Sequence, residues 1–149
     1  MANPVCEVLL TDSALVVPTA SSGDEAGAIV DFWGVVRRTE NGAAIDGIDY
    51  EAHRAMAEHQ LRAIAQDATQ MFDLRLISIQ HRIGFVAVGE ASLLVRIGGG
   101  HRAETFRAAQ WTVDELKKRV PIWKHARFVA DEARVLDRQT TAAAVSSLQ

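Results

Sequence analysis

This chain has one cysteine, one tyrosine, three prolines and no long apolar run. A lone Cys6 excludes an internal disulfide and suits a reducing compartment, so a cytoplasmic location is expected. Flanked by Val5 and close to Val8, Cys6 reads as buried packing rather than a reactive thiol. No stretch approaches the roughly 18 apolar residues that a membrane-spanning helix needs. The opening MANPVCEVLL has no basic segment before its short apolar run, which argues against a secretory leader. An excess of one charge is missing too, since 16 Lys and Arg stand against 19 Asp and Glu, a net charge of -3. No overall field favours nucleic acid or an anionic membrane, so any anion must be held by a local cluster. Five histidines (His53, His59, His81, His101 and His125) form neither an HExxH nor a Cys/His set. No metal site is therefore expected. Hydrolase chemistry lacks its GxSxG elbow.

What is there is ordinary for a globular domain. The 149 residues are 48% apolar and 23% charged, and read most simply as one domain over residues 1–149. The β-branched and aromatic stretch AIVDFWGVV (28–36) predicts a strand. TENG (39–42) carries the Asn-Gly signal of a tight turn, and IDGIDYEA (45–52) alternates like a strand returning antiparallel to the first. From Arg54 to about Phe72, Met56, Leu61, Ile64, Ala68 and Met71 recur at helical spacing. RLISIQHRI and ASLLVRI predict two more strands. A second helix is expected from about Arg102 to Val120, with Phe106, Ala109, Val113, Leu116 and Val120 on its buried stripe. Pro121 stops it, because proline disfavours a helical residue before it and lacks an N–H. The order is hairpin, helix, two strands, helix, short strand. That pattern favours an α+β fold with antiparallel sheets and both helices on one face. The tail over 128–149 is less legible, and its last ten residues read as frayed.

Three stretches could carry chemistry. In RIGGGHRAETF (96–106) a strand runs through three glycines into a helix. Backbone N–H groups, the helix N-terminus, His101 and Arg102 together make a seat for a phosphate or carboxylate. A flexible turn with a solvated Arg102 reads equally well. It is neither a P-loop nor a dinucleotide fingerprint. In GVVRR (34–38), Arg37 and Arg38 alternate sides at a strand end, where two plain surface charges would look the same. In LKKRVPIWKH (116–125) four cations, Lys117, Lys118, Arg119 and Lys124, surround a helix end. Spacing pairs Lys118 with Asp114 and Arg119 with Glu115. Lys117 is left less obviously paired, and Lys117 and Lys124 suit a carboxylate-like group. The plainer reading is basic decoration of a helix C-terminus.

Taken in order, FWGVVR (32–37), YEAH (50–53), HRIG (81–84), GHRAETF (100–106) and LKKRVPIWK (116–124) resemble the MoaE family, the large catalytic subunits of molybdopterin synthase. The likeness covers residues 27–124. It implies an α/β hammerhead-like fold and a sulfurtransferase of molybdenum-cofactor synthesis. The sulfur would come from the C-terminal Gly-Gly thiocarboxylate of a small ubiquitin-like, MoaD-like carrier. The acceptor would be cyclic pyranopterin monophosphate, which becomes the molybdopterin dithiolene. A homodimer within a heterotetramer is implied, with no metal or cofactor serving the transfer. Residue by residue, the resemblance makes Lys117 and Lys124 the catalytic lysines. It assigns Arg37, His101 and Arg102 to the pterin phosphate and pocket, and Phe32 and Val113 to pocket walls. A further arginine usually comes from the neighbouring subunit, and Arg134 is the match chosen over Arg127 and Arg138. Trp123 is expected to shield Lys124 from water, with Pro121 turning both lysines toward one cavity. The sequence departs from the family at its three-glycine run and after Lys124, where Ala126 replaces an acidic residue. That departure keeps open a non-catalytic dimeric scaffold that binds the carrier tail. A phosphate-binding module built only on residues 98–102 is a further alternative.

Overall fold

The computed structural model describes residues 3–18 and 23–129. Ten elements follow in chain order: β1 Val5–Thr11, β2 Ala28–Val35, β3 Thr39–Glu40, β4 Ala43–Ala52, α1 Arg54–Met71, β5 Leu74–Arg82, β6 Gly84–Ala87, β7 Ala91–Gly99, α2 Arg102–Arg119 and β8 Ile122–Phe128. They form an α+β fold with two sheets. The first has the order β1-β5-β7-β2, and the second has β3-β4-β6 with β8 also paired to β4.

β5 and β7 are the centre of the first sheet, and their sequences read accordingly. LRLISIQHR and ASLLVRIGG are nearly continuous buried runs, the pattern of strands covered on both faces. Ile77, Ile79, Leu93, Val95 and Ile97 face the helices and join Leu61, Ile64 and Leu116 in the main core. Alternation turns Gln80 and Arg96 to the opposite face. There Gln80 Nε2 donates to the Val16 carbonyl at 3.0 Å and Arg96 donates to the Pro18 carbonyl at 3.4 Å. The chain leaving β1 thus lies over the face that the helices do not cover.

Both helices pack on one face, as expected. Their buried stripes are rich in alanine: Ala57, Ala65 and Ala68 on α1, Ala108 and Ala109 on α2. Small side chains let each backbone approach the sheet closely. Gly99 serves the same end, because a Cβ there would stand 2.4 Å from Thr105 Oγ1 in the first turn of α2. This contact sets the stripe on Thr105, Ala108, Thr112 and Leu116. Phe106, about 100° further round, is 61% exposed instead of buried. Met56 and Met71 are likewise exposed, at the ends of α1 and off its stripe.

One expectation fails at the level of strand pairing. β2 and β4 do not form a hairpin, for β2 pairs antiparallel with β7 while β4 pairs with β3, β6 and β8. The chain leaves the first sheet after a register shift at Gly34 and Val35. Val36 then exchanges backbone hydrogen bonds with Glu90 and Gly89. The Asn-Gly turn is real, with Asn41 at φ 50° and Gly42 at φ 81°, but it joins only the short β3 to β4. The sequence reading also missed β1, which pairs parallel with β5 from Val5↔Leu76 to Thr11↔Arg82. Cys6, on that edge strand, is exposed rather than buried. A second, smaller core of Val36, Ile45, Ile48, Tyr50 and Val86 fills the other sheet.

Candidate active site

The cations of LKKRVPIWKH are sorted by the end of α2. Val120 caps the helix with extended backbone, φ -90° and ψ 125°, as a residue before proline should. Its N–H donates to Leu116 O at 3.1 Å, and the Ile122 N–H donates to Val120 O at 2.9 Å. Arg119 crosses to α1, donating to Asp67 at 2.9 Å, and also lies 3.8 Å from Glu115. Lys118 meets Glu115 at 3.8 Å. The expected Lys118–Asp114 pair does not form, because Glu115 draws both cations while Asp114 points to solvent. Lys117 and Lys124 are exposed and make no ion pair among the described residues. Arg37 is also exposed and unpaired in that sense.

β8 then fixes which way Lys124 points. Trp123 lies opposite Glu51, Lys124 opposite Tyr50 and His125 opposite Asp49 on β4. Paired residues share a face and neighbours alternate. Lys124 therefore shares the inner face with Tyr50, while Trp123 is on the outer face and 52% exposed. The shielding role expected for Trp123 is thus excluded by strand alternation. His125 meets Glu51 at 3.2 Å on the outer face. Beneath Lys124 is a pair that the sequence reading did not single out. The rings of Tyr50 and His81 meet edge to face, 5.4 Å between centroids. Both are buried. His81 Nδ1 is 2.8 Å from the Arg82 carbonyl, so Nδ1 carries the proton and donates. Burial, aided by the charge of Lys124, lowers the His81 pKa to about 4. The imidazole is neutral at pH 7. Burial also raises the Tyr50 pKa, so its phenol stays protonated. A histidine at the end of a nearly all-buried strand was the available signal.

Arg37, Lys117 and Lys124 gather at one end of the first sheet, and His101 and Arg102 do not join them. α2 runs back along β7, so its N-terminus lies by Gly99 and its C-terminus by the Ala91 end. At 1.5 Å per residue, Arg102 and Lys117 are about 22 Å apart along the helix. Arg37 follows β2, whose Val35 pairs with Ala91, at the lysine end. At the other end the glycine run is mostly strand. The Gly27 N–H donates to Gly99 O at 2.9 Å, and a Cβ on Gly27 would stand 2.4 Å from Gly100 O. Gly27 and Gly99 are thus required by close packing. His101 is the N-cap of α2 but makes no side-chain cap hydrogen bond, leaving its imidazole and Arg102 exposed at a positive helix end.

Val113 is buried one turn before Lys117, and Phe32 is on the helix-facing side of β2, 37% exposed. Arg127 is committed elsewhere: its guanidinium pairs with Asp49 through both oxygens and lies 4.3 Å above the Phe85 ring. Arg134 and Arg138, like the expected frayed tail, lie outside the described residues. Among the described residues, no cluster of three His, Cys, Asp or Glu side chains could hold a metal ion. No helix there is long and apolar enough to cross a membrane.

The profile of the MoaE family, described as MoaE protein, matches residues 10–119. The chain belongs to the MoaE family. It is 42% identical over 111 residues to the molybdopterin synthase catalytic subunit of Pyrococcus abyssi, covering 74% of each. It is 41% identical over 98 residues to the protein of that name from Bos taurus, covering 66% of this chain and 52% of that one. For the Emericella nidulans protein the identity is 38% over 108 residues, with 72% and 55% covered. The chain thus spans about half the length of the last two. Among solved structures, molybdopterin synthase from Staphylococcus aureus superposes with a TM-score of 0.72 at 26% identity, covering 84% of this chain and 92% of that one. A complex of subunits 1 and 2 of molybdopterin-converting factor from Helicobacter pylori gives 0.62 at 18% identity, over 83% and 89%, a likeness of fold. The family match ends at Arg119, before Lys124.

Proposed function

We propose that this chain is the catalytic subunit of a molybdopterin synthase, one domain working in the cytoplasm. It moves sulfur from the C-terminal thiocarboxylate of a small ubiquitin-like carrier onto cyclic pyranopterin monophosphate. Each transfer makes a carbon–sulfur bond on the pterin in place of a carbon–oxygen bond there, and breaks the carbon–sulfur bond to the terminal glycine of the carrier. Water takes the place of the sulfur, so the carrier leaves as an ordinary carboxylate. The thiocarboxylate sulfur is already a competent nucleophile. The protein therefore has to orient it and stabilise the oxyanion formed as its acyl carbon is attacked.

Lys117 and Lys124 fill that role, as cations facing an anionic tail. The observation that carries the reading is that, among the described residues, these two make no ion pair where Lys118 and Arg119 are engaged by Glu115 and Asp67. Arg37 at the same end, with Phe32 and Val113 as walls, completes one half of the pocket. His101 and Arg102, too far along α2 to serve the lysines of their own chain, seat the pterin phosphate for a second copy, together with Arg134. The assembly is then a homodimer of this chain with a carrier at each end, a heterotetramer.

The test mixes the purified protein with a thiocarboxylated carrier and cyclic pyranopterin monophosphate and measures the dithiolene product. Wild type forms it, and Lys117→Ala and Lys124→Ala do not, with circular dichroism unchanged. A stable carrier complex without product from the wild type would contradict the reading and point to a dimeric scaffold.

A further inference from the structure

We infer that His81 is a positioning residue for Lys124, acting through the ring of Tyr50. The inference rests on the reading of Lys124 as a site residue and adds to it two groups from outside the cationic motif.

Three observations meet at this point of the fold. First, Tyr50 has Lys124 as its direct neighbour on β8 and Gly84 as its direct neighbour on β6. Directly opposed residues have Cβ atoms about 4.5–5.5 Å apart, so the aliphatic stem of Lys124 runs beside the Tyr50 side chain. On the β6 side Gly84 offers no side chain at all, and its φ of 83° is one that other residues rarely adopt. Second, Tyr50, whose hydroxyl hydrogen-bonds Ser92 and which belongs to the core of Val36, Ile45, Ile48 and Val86, is met across that gap by the ring of His81. It comes from the end of β5 in the other sheet and meets the Tyr50 ring edge to face at 5.4 Å and 70°. Third, the imidazole cannot turn freely. Its Nδ1–H is held on the Arg82 carbonyl at 2.8 Å, and the residue is only 5% exposed.

The consequence is a rigid relay from the first sheet to the second. A buried, oriented imidazole fixes a phenol ring, and the ring limits the rotamers open to an exposed lysine. Lysine has four rotatable side-chain bonds and loses much of their freedom on ordering. A backing ring supplies part of that order before any ligand arrives. Neutrality matters as well, because a charged imidazole here would place a second cation beside Lys124. Backed in this way, Lys124 is held ready to meet an anionic group rather than free to sweep through solvent.

The test uses the whole protein without substrates first. Lysines are labelled as 13C-dimethyl-lysines, which keep their charge, and the Lys124 signal is assigned with Lys124→Arg. In the wild type this signal is displaced by the ring current of Tyr50, whereas that of exposed Lys118 is not. Tyr50→Leu abolishes the displacement. His81→Ala moves the signal toward the Lys118 position, and His81→Phe, which keeps a ring against Tyr50, preserves it. In the transfer assay His81→Ala loses on the order of ten- to a hundred-fold in kcat with KM for the carrier unchanged. His81→Phe recovers most of the loss. A purely structural role would lower Tm and leave both the lysine signal and the kcat of folded protein as they were. A Lys124 signal without displacement in the wild type overturns the inference, as does one that folded His81→Ala leaves unchanged. If His81→Ala does not fold, His81→Leu, which fills the space without a ring, decides by the same signal: an unchanged displacement in folded His81→Leu overturns the inference. Wild type that gives the displaced signal yet forms no product supports the positioning role and contradicts the proposed function instead.

Discussion

Burial holds the imidazole of His81 neutral far below the pH at which a free histidine ionises, and this links it to stability. Its pKa falls from 6.5 to about 4 on folding. Between those values the unfolded chain binds the proton and the folded chain does not, so protons favour unfolding. The contribution is fully present above pH 6.5 and is lost as pH falls through that window to about 4. A shift of this size corresponds to about 3 kcal/mol. Urea midpoints of the wild type should therefore drop between pH 6.5 and 4 by more than those of His81→Phe, the difference isolating this group from the carboxylates. Equal pH slopes would contradict it. Residue by residue, the sequence revealed the cations and one partner, Glu115 for Arg119, but not the rest. Lys118 could be assigned to Asp114 on spacing, yet a nearby Glu115 engaged by two cations decides the matter in three dimensions. The role imagined for Trp123 failed for a simpler reason, strand alternation, which was available from the sequence once β8 was read as a strand.

Helices and turns were legible because their signals are local. Pro121 ends α2 where expected, and Asn41-Gly42 makes a turn where expected. Which strands pair is a long-range property, so the first hairpin was misassigned. The pairing of β4 with β6 illustrates what sequence patterns hide. A Cβ on Gly47 would stand 2.4 Å from Val86 O and 2.5 Å from the Phe85 ring. That ring is the one over which Arg127 stacks while it holds Asp49. Gly47→Ala should thus open the β4–β6 edge and cost about 1–3 kcal/mol, the usual range for overpacking. Thermal unfolding would measure it, and a Tm equal to that of the wild type would contradict the close approach. Arg119→Ala removes the α1–α2 ion pair with Asp67. Its side chain is 30% exposed, so the loss should be no more than about 1 kcal/mol. A drop of several kcal/mol by urea titration would mean that the pair is far more than a surface tie.

At the scale of the whole molecule, the two cationic clusters at opposite ends of α2 carry the most weight. The resemblance assigned both to the site, and motif order says nothing of distance. The 18-residue helix between them, together with the strand pairing, separates them by most of its length. Two copies that face each other can unite what one copy divides, since a two-fold interface repeats each contact. The central claim is thus sulfur transfer at a site built from two chains, and mixing two inactive variants tests it most directly. Lys117→Ala and Arg102→Ala protein are unfolded together, refolded as a mixture and assayed for dithiolene product with the thiocarboxylated carrier. Random pairing makes half the dimers mixed, each with one intact site, so activity should recover to about a quarter of the wild-type value. Activity no higher than that of the two variants assayed separately would contradict a shared site.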